Sequence, residues 1–158
     1  MNIFGFLLVF FCLLAKVSAE CADSCECPDF SSLRDAQGDA SDFQFTQLAG
    51  CAANATCVSP NNFNMLSNYR DSEIQQPPNT FINFLILSSG RNSSIPASSF
   101  DLFSYFGIVC EGGTWYATKY PMGILIIPNE GENYVYNDES LDGKRTMIYF
   151  YICNLDIS

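Results

Sequence analysis

Histidine is absent from this 158-residue chain. Ser-His-Asp and Cys-His catalysis both need an imidazole base, so its absence removes most hydrolase readings. The nucleophile-elbow pattern GxSxG is missing as well. Basic residues are scarce: 7 Lys and Arg stand against 17 Asp and Glu, a net charge of -10. Nucleic acid needs Lys and Arg to neutralise its phosphates, and an anionic membrane surface needs them too, so neither is an expected partner. No apolar run approaches the about 20 residues that span a bilayer. The chain also lacks a helical period of useful length, an internal repeat and a low-complexity tract. What survives these exclusions is a small, acidic, β-rich protein.

The longest apolar run, IFGFLLVFFCLL at residues 3–14, has the length of a signal-peptide core. Val17-Ser18-Ala19 follows with residues that a signal peptidase reads, which places cleavage after Ala19. No Lys or Arg precedes the run, so the amino terminus alone supplies positive charge there. The last residues carry no hydrophobic tail of the kind a GPI anchor requires. The expectation is a secreted, extracellular protein without membrane insertion. Its organisation reads as a signal peptide at 1–19, an irregular cysteine-rich leader at 20–50 and a β-sandwich domain at 51–158. Loss of Lys16 leaves the mature chain near -11.

Cysteine is the most informative residue type. Cys12 leaves with the signal, and Cys21, Cys25, Cys27, Cys51, Cys57, Cys110 and Cys153 remain. In a secreted chain these imply a disulfide framework. Seven cysteines permit three bridges and one odd thiol, which is either buried alone or joined to a second copy as a covalent dimer. Cys110 and Cys153 each end an apolar run, FSYFGIVC and MIYFYIC. A bridge between them would close a loop of 44 residues, worth about 4 kcal/mol in chain entropy. Cys51 and Cys57 could close a seven-residue loop. Alternatively both reach back to the Cys21–Cys27 cluster, and that option is preferred for one of them because the cluster needs partners. A zinc site would want CxxC pairs or histidine, so no metal and no cofactor is expected.

Sequons at Asn54 and Asn92 mark two candidate glycosylation sites that must face water. From residue 80 onward, β-prone runs alternate with turn chemistry. They are Thr80–Leu87, Ser99–Cys110, Thr114–Thr118, Gly123–Ile127, Tyr134–Tyr136 and Thr146–Cys153. Gly112-Gly113, Asn129-Glu130-Gly131 and Asp142-Gly143 punctuate them. About seven short strands at this spacing predict an all-β, disulfide-stapled antiparallel sandwich.

The stretch CEGGTWYATKYPMG holds the only tryptophan. Its glycines predict a tight hairpin that sets Trp115 near Cys110 in a sandwich core, with a bend at Tyr120-Pro121. The functional alternative makes Trp115, Tyr116 and Tyr120 an aromatic platform, with Lys119 as donor, for a sugar or peptide. Two-carboxylate glycosidase chemistry is the remaining enzyme option, drawing on Glu130 and Glu132 or on Asp138, Glu139 and Asp142. The oxygens of Asn137-Asp138-Glu139 and Asp142 also offer a weak Ca²⁺ alternative. All these acids sit in turn-like segments, where charges are usually just solvated.

The pattern VCxGGxWYATKYPxGI, followed by the Asp142-Gly143-Lys144 turn and a closing strand-cysteine, resembles a nematode-expanded family of secreted cysteine-rich domains of unknown function. The likeness covers roughly residues 51–153. It implies an extracellular, disulfide-stapled module, and no catalytic residues come with it. Cysteines in that family are usually even in number; the seven here depart from this. The expected function is a secreted binding module without catalysis, its ligand an unidentified extracellular protein or glycan. A disulfide-linked matrix component is the alternative.

Overall fold

The computed structural model describes residues 24–58, 63–89 and 101–153. The signal segment, Cys21 and Asn92 lie outside them. Ten strands form three antiparallel sheets among the described residues. β1 (Phe43–Gln47) pairs with β2 (Ala53–Cys57). A five-stranded sheet joins β3 (Phe63–Asn68), β4 (Phe84–Ser88), β7 (Ile124–Ile126), β8 (Tyr134–Tyr136) and β10 (Phe150–Cys153), in the order β10-β3-β4-β7-β8. A three-stranded sheet orders β5 (Val109–Glu111), β6 (Thr114–Ala117) and β9 (Thr146–Met147) as β5-β6-β9. One apolar cluster takes Met65, Leu87 and Ile124 from the large sheet, Ala55 from β2 and Trp115 from β6. Sheet faces closing on a shared core in this way make the antiparallel, sandwich-type layering that the alternating runs predict.

The expected hairpin is present. Cys110 faces Trp115 in register across the β5–β6 turn, and Gly112 and Gly113 both have positive φ, 57° and 75°. A two-residue turn of that handedness matches the twist of the flanking strands. Gly123 is required for a different reason. Its φ is 69°, and a Cβ there would overlap the Tyr136 carbonyl oxygen at the start of the β7–β8 pairing.

Three expectations are corrected. Ser99–Cys110 is not one strand: Leu102–Phe106 forms a short helix, α1, before β5 begins. Asp101 caps it, accepting from the Phe103 and Ser104 amides, and Gly107 ends it with φ 56° in the left-handed region. The Asp and Gly thus bracket a single turn whose Leu102, Phe103 and Phe106 are buried. The Cys51–Cys57 segment is not a closed loop: its Ala53–Cys57 part is strand β2, with Asn54 exposed on it.

The third correction concerns the leader. Its residues 42–49, DFQFTQLA, alternate as a short strand or a helical turn would, and 43–47 form strand β1. What departs from an irregular leader is Phe30, fully buried at the centre of the core. Its ring lies 4.9 Å from Phe103, 5.1 Å from Tyr151, 5.5 Å from Trp115 and 6.2 Å from Phe45. These rings come from α1 and from all three sheets. Asp29 positions Phe30 by capping the 3-10 turn Phe30–Leu33 through the Ser31 amide at 2.9 Å.

The sulfur connectivity is Cys25–Cys51, Cys27–Cys110 and Cys57–Cys153. Cys51 does reach back to the leader. Cys110 and Cys153 do not meet, because β5 and β10 belong to different sheets. Cys110 instead holds the leader to the hairpin, while Cys153 holds β10 to the end of β2. The 96-residue separation of Cys57 and Cys153 corresponds to about 4.7 kcal/mol of unfolded-chain entropy.

Candidate functional site

The four recognition candidates separate into two pairs. Trp115 is 2% exposed and its Nε1–H donates to the Pro28 carbonyl at 2.8 Å, so the ring is core and anchors the leader. Tyr120 is 3% exposed. Neither offers a surface platform. Their inward placement follows from the strand alternation of β6 and from the bend after it. Lys119 is exposed, its Nζ 3.4 Å from the Ser104 carbonyl, and Tyr116 is half-buried on the outer face of β6.

Tyr120 instead organises a polar chain beneath the surface. The Ile74 amide donates to Ser72 Oγ at 3.0 Å, and Ser72 Oγ and Thr146 Oγ1 are 2.8 Å apart. Thr146 Oγ1 lies 2.7 Å from the Tyr120 hydroxyl, which reaches the Lys144 carbonyl at 2.8 Å. One consistent assignment has each hydroxyl donating onward to the next, ending on Lys144. Burial is the main cause that pushes the Tyr120 hydroxyl up to about 12, so it stays protonated and can donate. The Tyr120 amide also donates to Asp142 Oδ1 at 2.9 Å, and the Gly143 amide to the Thr118 carbonyl at 2.8 Å. The TKYP segment and the Asp-Gly-Lys turn are therefore one hydrogen-bonded unit, and they fix β9 beside β6.

That unit presents Arg145. Its guanidinium donates to Glu73 Oε1 from Nε at 3.0 Å and from Nη2 at 2.8 Å, and to Glu111 Oε2 from Nη1 at 2.5 Å. Its backbone N–H donates to Glu73 Oε2 at 2.8 Å. These bonds, the backbone one first, hold the Glu73 carboxyl below its usual range. The guanidinium carbon lies 6.0 Å from the Tyr116 ring centroid, within cation–π reach. Glu73, Glu111, Tyr116 and Arg145 line an open cleft of about 510 Å³ together with Arg70 and Asp71. A second cleft of about 390 Å³ adjoins it and shares Arg70, Ser72 and Glu73, extending to Tyr69, Gln75 and Asn83.

Arg70 stands where the two clefts meet. It belongs to the 3-10 turn Tyr69–Asp71, capped by Asn68, whose Oδ1 accepts from the Arg70 amide at 2.8 Å and from Asn83 Nδ2 at 2.7 Å. Asp71 accepts a hydrogen bond from the Tyr149 hydroxyl. Among the described residues the ion pairs are those of Arg145, so Arg70, which lines both clefts, has no ion-pair partner among them. Tyr69 is 6% exposed and its hydroxyl has no partner among the described residues. Burial, with Tyr134 adding to it, pushes that hydroxyl up to about 12.

The other candidates do not converge. Glu130, Glu132, Asp138, Glu139 and Asp142 are all exposed. Asp138 caps the turn Glu139–Leu141 through the Ser140 amide at 2.7 Å, and Asp142 holds Tyr120. The sulfurs of Cys25, Cys27 and Cys110 lie within 4.8 Å of one another. All three are oxidised here, and a disulfide sulfur is no thiolate ligand. Among the described residues no helix is long and apolar enough to cross a membrane.

Arg70, Glu73, Glu111 and Arg145 were not legible as a site in the sequence. The one signal is scarcity: two of the chain's 7 basic residues, Arg70 and Arg145, line the same cleft. Neither the curated proteins nor the solved structures give a match. The family model described as TRA-1 regulated protein R03H10.4 matches residues 23–153, a span running from the leader through the last disulfide cysteine, and the chain belongs to that nematode-type family of uncharacterised function.

Proposed function

We propose that this protein is a secreted, extracellular binding module that acts without catalysis and recognises a glycan or a protein segment in the paired clefts astride Arg70. The observation that carries the reading is the junction itself. Two clefts share Arg70, whose guanidinium has no ion pair among the described residues, and Tyr116 stands on one side. Tyr69, its hydroxyl buried and without a partner among the described residues, belongs to the lining of the other. Ligand sites combine a concave surface of this size with a few convergent polar groups in the same way. Three disulfides suit an oxidising, extracellular compartment. Asn54 is exposed on β2, accessible for the glycan its sequon invites. The WYATKYPxG segment is read as a scaffold motif, because its Trp115 and Tyr120 hold the leader and the Asp-Gly-Lys turn. Tyr116 is the member of that segment assigned to recognition.

A glycan and protein array probed with the secreted protein tests the reading. Hits that vanish, by about tenfold or more in signal, with Arg70→Ala and with Tyr116→Ala support it. Hits that both variants retain overturn it.

A covalent assembly is the second reading, and the sulfur pairing favours it. All six described cysteines bond to one another. Once Cys12 is removed with the signal, Cys21 has no partner left in its own chain. A matrix component would use it to join a second copy. A dimer on a non-reducing gel that disappears with Cys21→Ser supports that role; a monomer in both ends it.

A further inference from the structure

β8 is the outermost strand of the five-stranded sheet. It pairs with β7 through Ile126–Tyr134, Leu125–Val135 and Ile124–Tyr136, and among the described residues nothing pairs with its other edge. All residues at 129–140 are exposed, and among the described residues no other segment pairs with this edge. Tyr134 is 47%, Val135 51% and Tyr136 38% exposed. Natural edge strands are commonly blocked by a lysine, a proline or a bulge. Tyr-Val-Tyr has none of these.

Two features define what fits there. The first is an apolar row across the sheet: Phe150, Leu66, Ile86, Leu125 and Val135 are successive register partners. Val135 is the exposed end of that row, and a further strand would extend it with one more apolar residue. The second is charge. Glu130 and Glu132 precede the strand, and Asp138 and Glu139 follow it, so the edge is neutral in the middle and acidic at both ends.

We propose that β8 is a docking edge for an extended segment of another protein, with an apolar centre and Lys or Arg three to five residues to either side. The added segment would exchange main-chain hydrogen bonds with the free side of β8, place its central residue beside Val135 and lay its neighbours against Tyr134 and Tyr136. Its basic flanks would meet the acidic ends in either strand direction. A second copy of the chain is a poor occupant for the same reason. Edge-to-edge pairing of two β8 strands brings acidic ends onto acidic ends, in a chain whose net charge is already -10.

Fluorescence anisotropy of the disulfide-intact protein with labelled peptides tests this independently of the Arg70 clefts. The expected result is that KKTVIVTKK binds, that EETVIVTEE binds at least about tenfold more weakly, and that rising salt weakens the first. KKTVPVTKK, which lacks a central amide hydrogen, should also weaken. Val135→Lys should reduce binding about tenfold, and the double variant E130K/E132K should shift preference toward EETVIVTEE. Thermal melts of both variants should match the parent, because these side chains are exposed, and Arg70→Ala should bind the peptide normally. Equal binding of the Lys- and Glu-flanked peptides, or unchanged binding by Val135→Lys, overturns the proposal. Self-association in sedimentation that Val135→Lys abolishes would also overturn it, in favour of a second copy.

Discussion

The leader and the β7–β8 rim invert what their compositions suggest. Residues 20–50 are rich in Asp, Ser, Gln and Gly and contain few aromatics. Yet they supply Phe30, which packs on rings from every sheet, and Cys25 and Cys27, which are bridged to Cys51 and Cys110. The rim carries Tyr134, Val135 and Tyr136, a strand by any propensity scale, and buries none of them. One fully buried ring and two covalent ties set a segment's place more firmly than average hydropathy does. A β-prone run, conversely, gains a partner on one side only when it falls last in the sheet order. In this molecule a polar segment supplies one of the central rings, and an aromatic strand forms an exposed edge.

The sharpest way to break that comparison is Phe30→Ala. If the leader is core, the loss of a fully buried phenylalanine among five aromatic contacts costs about 3 to 5 kcal/mol. Chemical denaturation of the disulfide-intact protein measures it. A change below about 1 kcal/mol, the size expected of an exposed appendage, would return the segment to the status of a leader.

Asp101 gives a middle-sized effect with a pH signature. Its partial burial acts to raise the carboxyl, but hydrogen bonds from the Ala55 amide, from the Ser104 hydroxyl and amide and from the Phe103 amide together hold it below its ordinary value. The Ala55 bond is 2.8 Å and ties β2 to the start of α1. Asp101→Ala should cost about 1 to 2 kcal/mol at neutral pH, as a lost cap does. A carboxyl lowered on folding stabilises fully above its unfolded value of about 3.9 and loses that contribution as pH falls through its folded value. The gap between parent and variant should thus stay constant from pH 7 to about pH 5 and close below about pH 4. A gap that persists in acid would show that α1 depends on packing and not on the charged cap.

What could be read in the chain beforehand divides along the same physical line. Local chemistry was legible: the Gly112-Gly113 turn, the Cys110–Trp115 apposition, the Tyr134–Tyr136 strand and the general presence of bridges. Information that exists only after folding was not. β3 reads FNMLSN, with Asn64 and Ser67 buried alongside Phe63 and Met65, because a central strand packed on both faces loses its alternation. α1 is a single turn, too short for a period, and only Asp101 and Gly107 announce it. Sulfur pairing depends on which sheet each strand joins, a topological fact that no spacing encodes. The Arg145 site needs Glu73, a residue 72 positions away, held by the Tyr120–Thr146–Ser72 chain. Tyr116, the one residue of that site that was legible, was visible because its motif is local.

The smallest expected effect is the most discriminating at the rim. Tyr134→Ala removes a large ring that is 47% exposed, so its loss should change stability by no more than about 0.5 kcal/mol, the range of ordinary surface substitutions. The same variant should weaken binding of the Lys-flanked peptide, because an aromatic beside an added strand contributes cross-strand packing. Stability and binding then separate: a core residue would lose both, a bystander neither. If Tyr134→Ala destabilised the fold as strongly as Phe30→Ala, the aromatic strand would be structural after all and the contrast between centre and edge would fail.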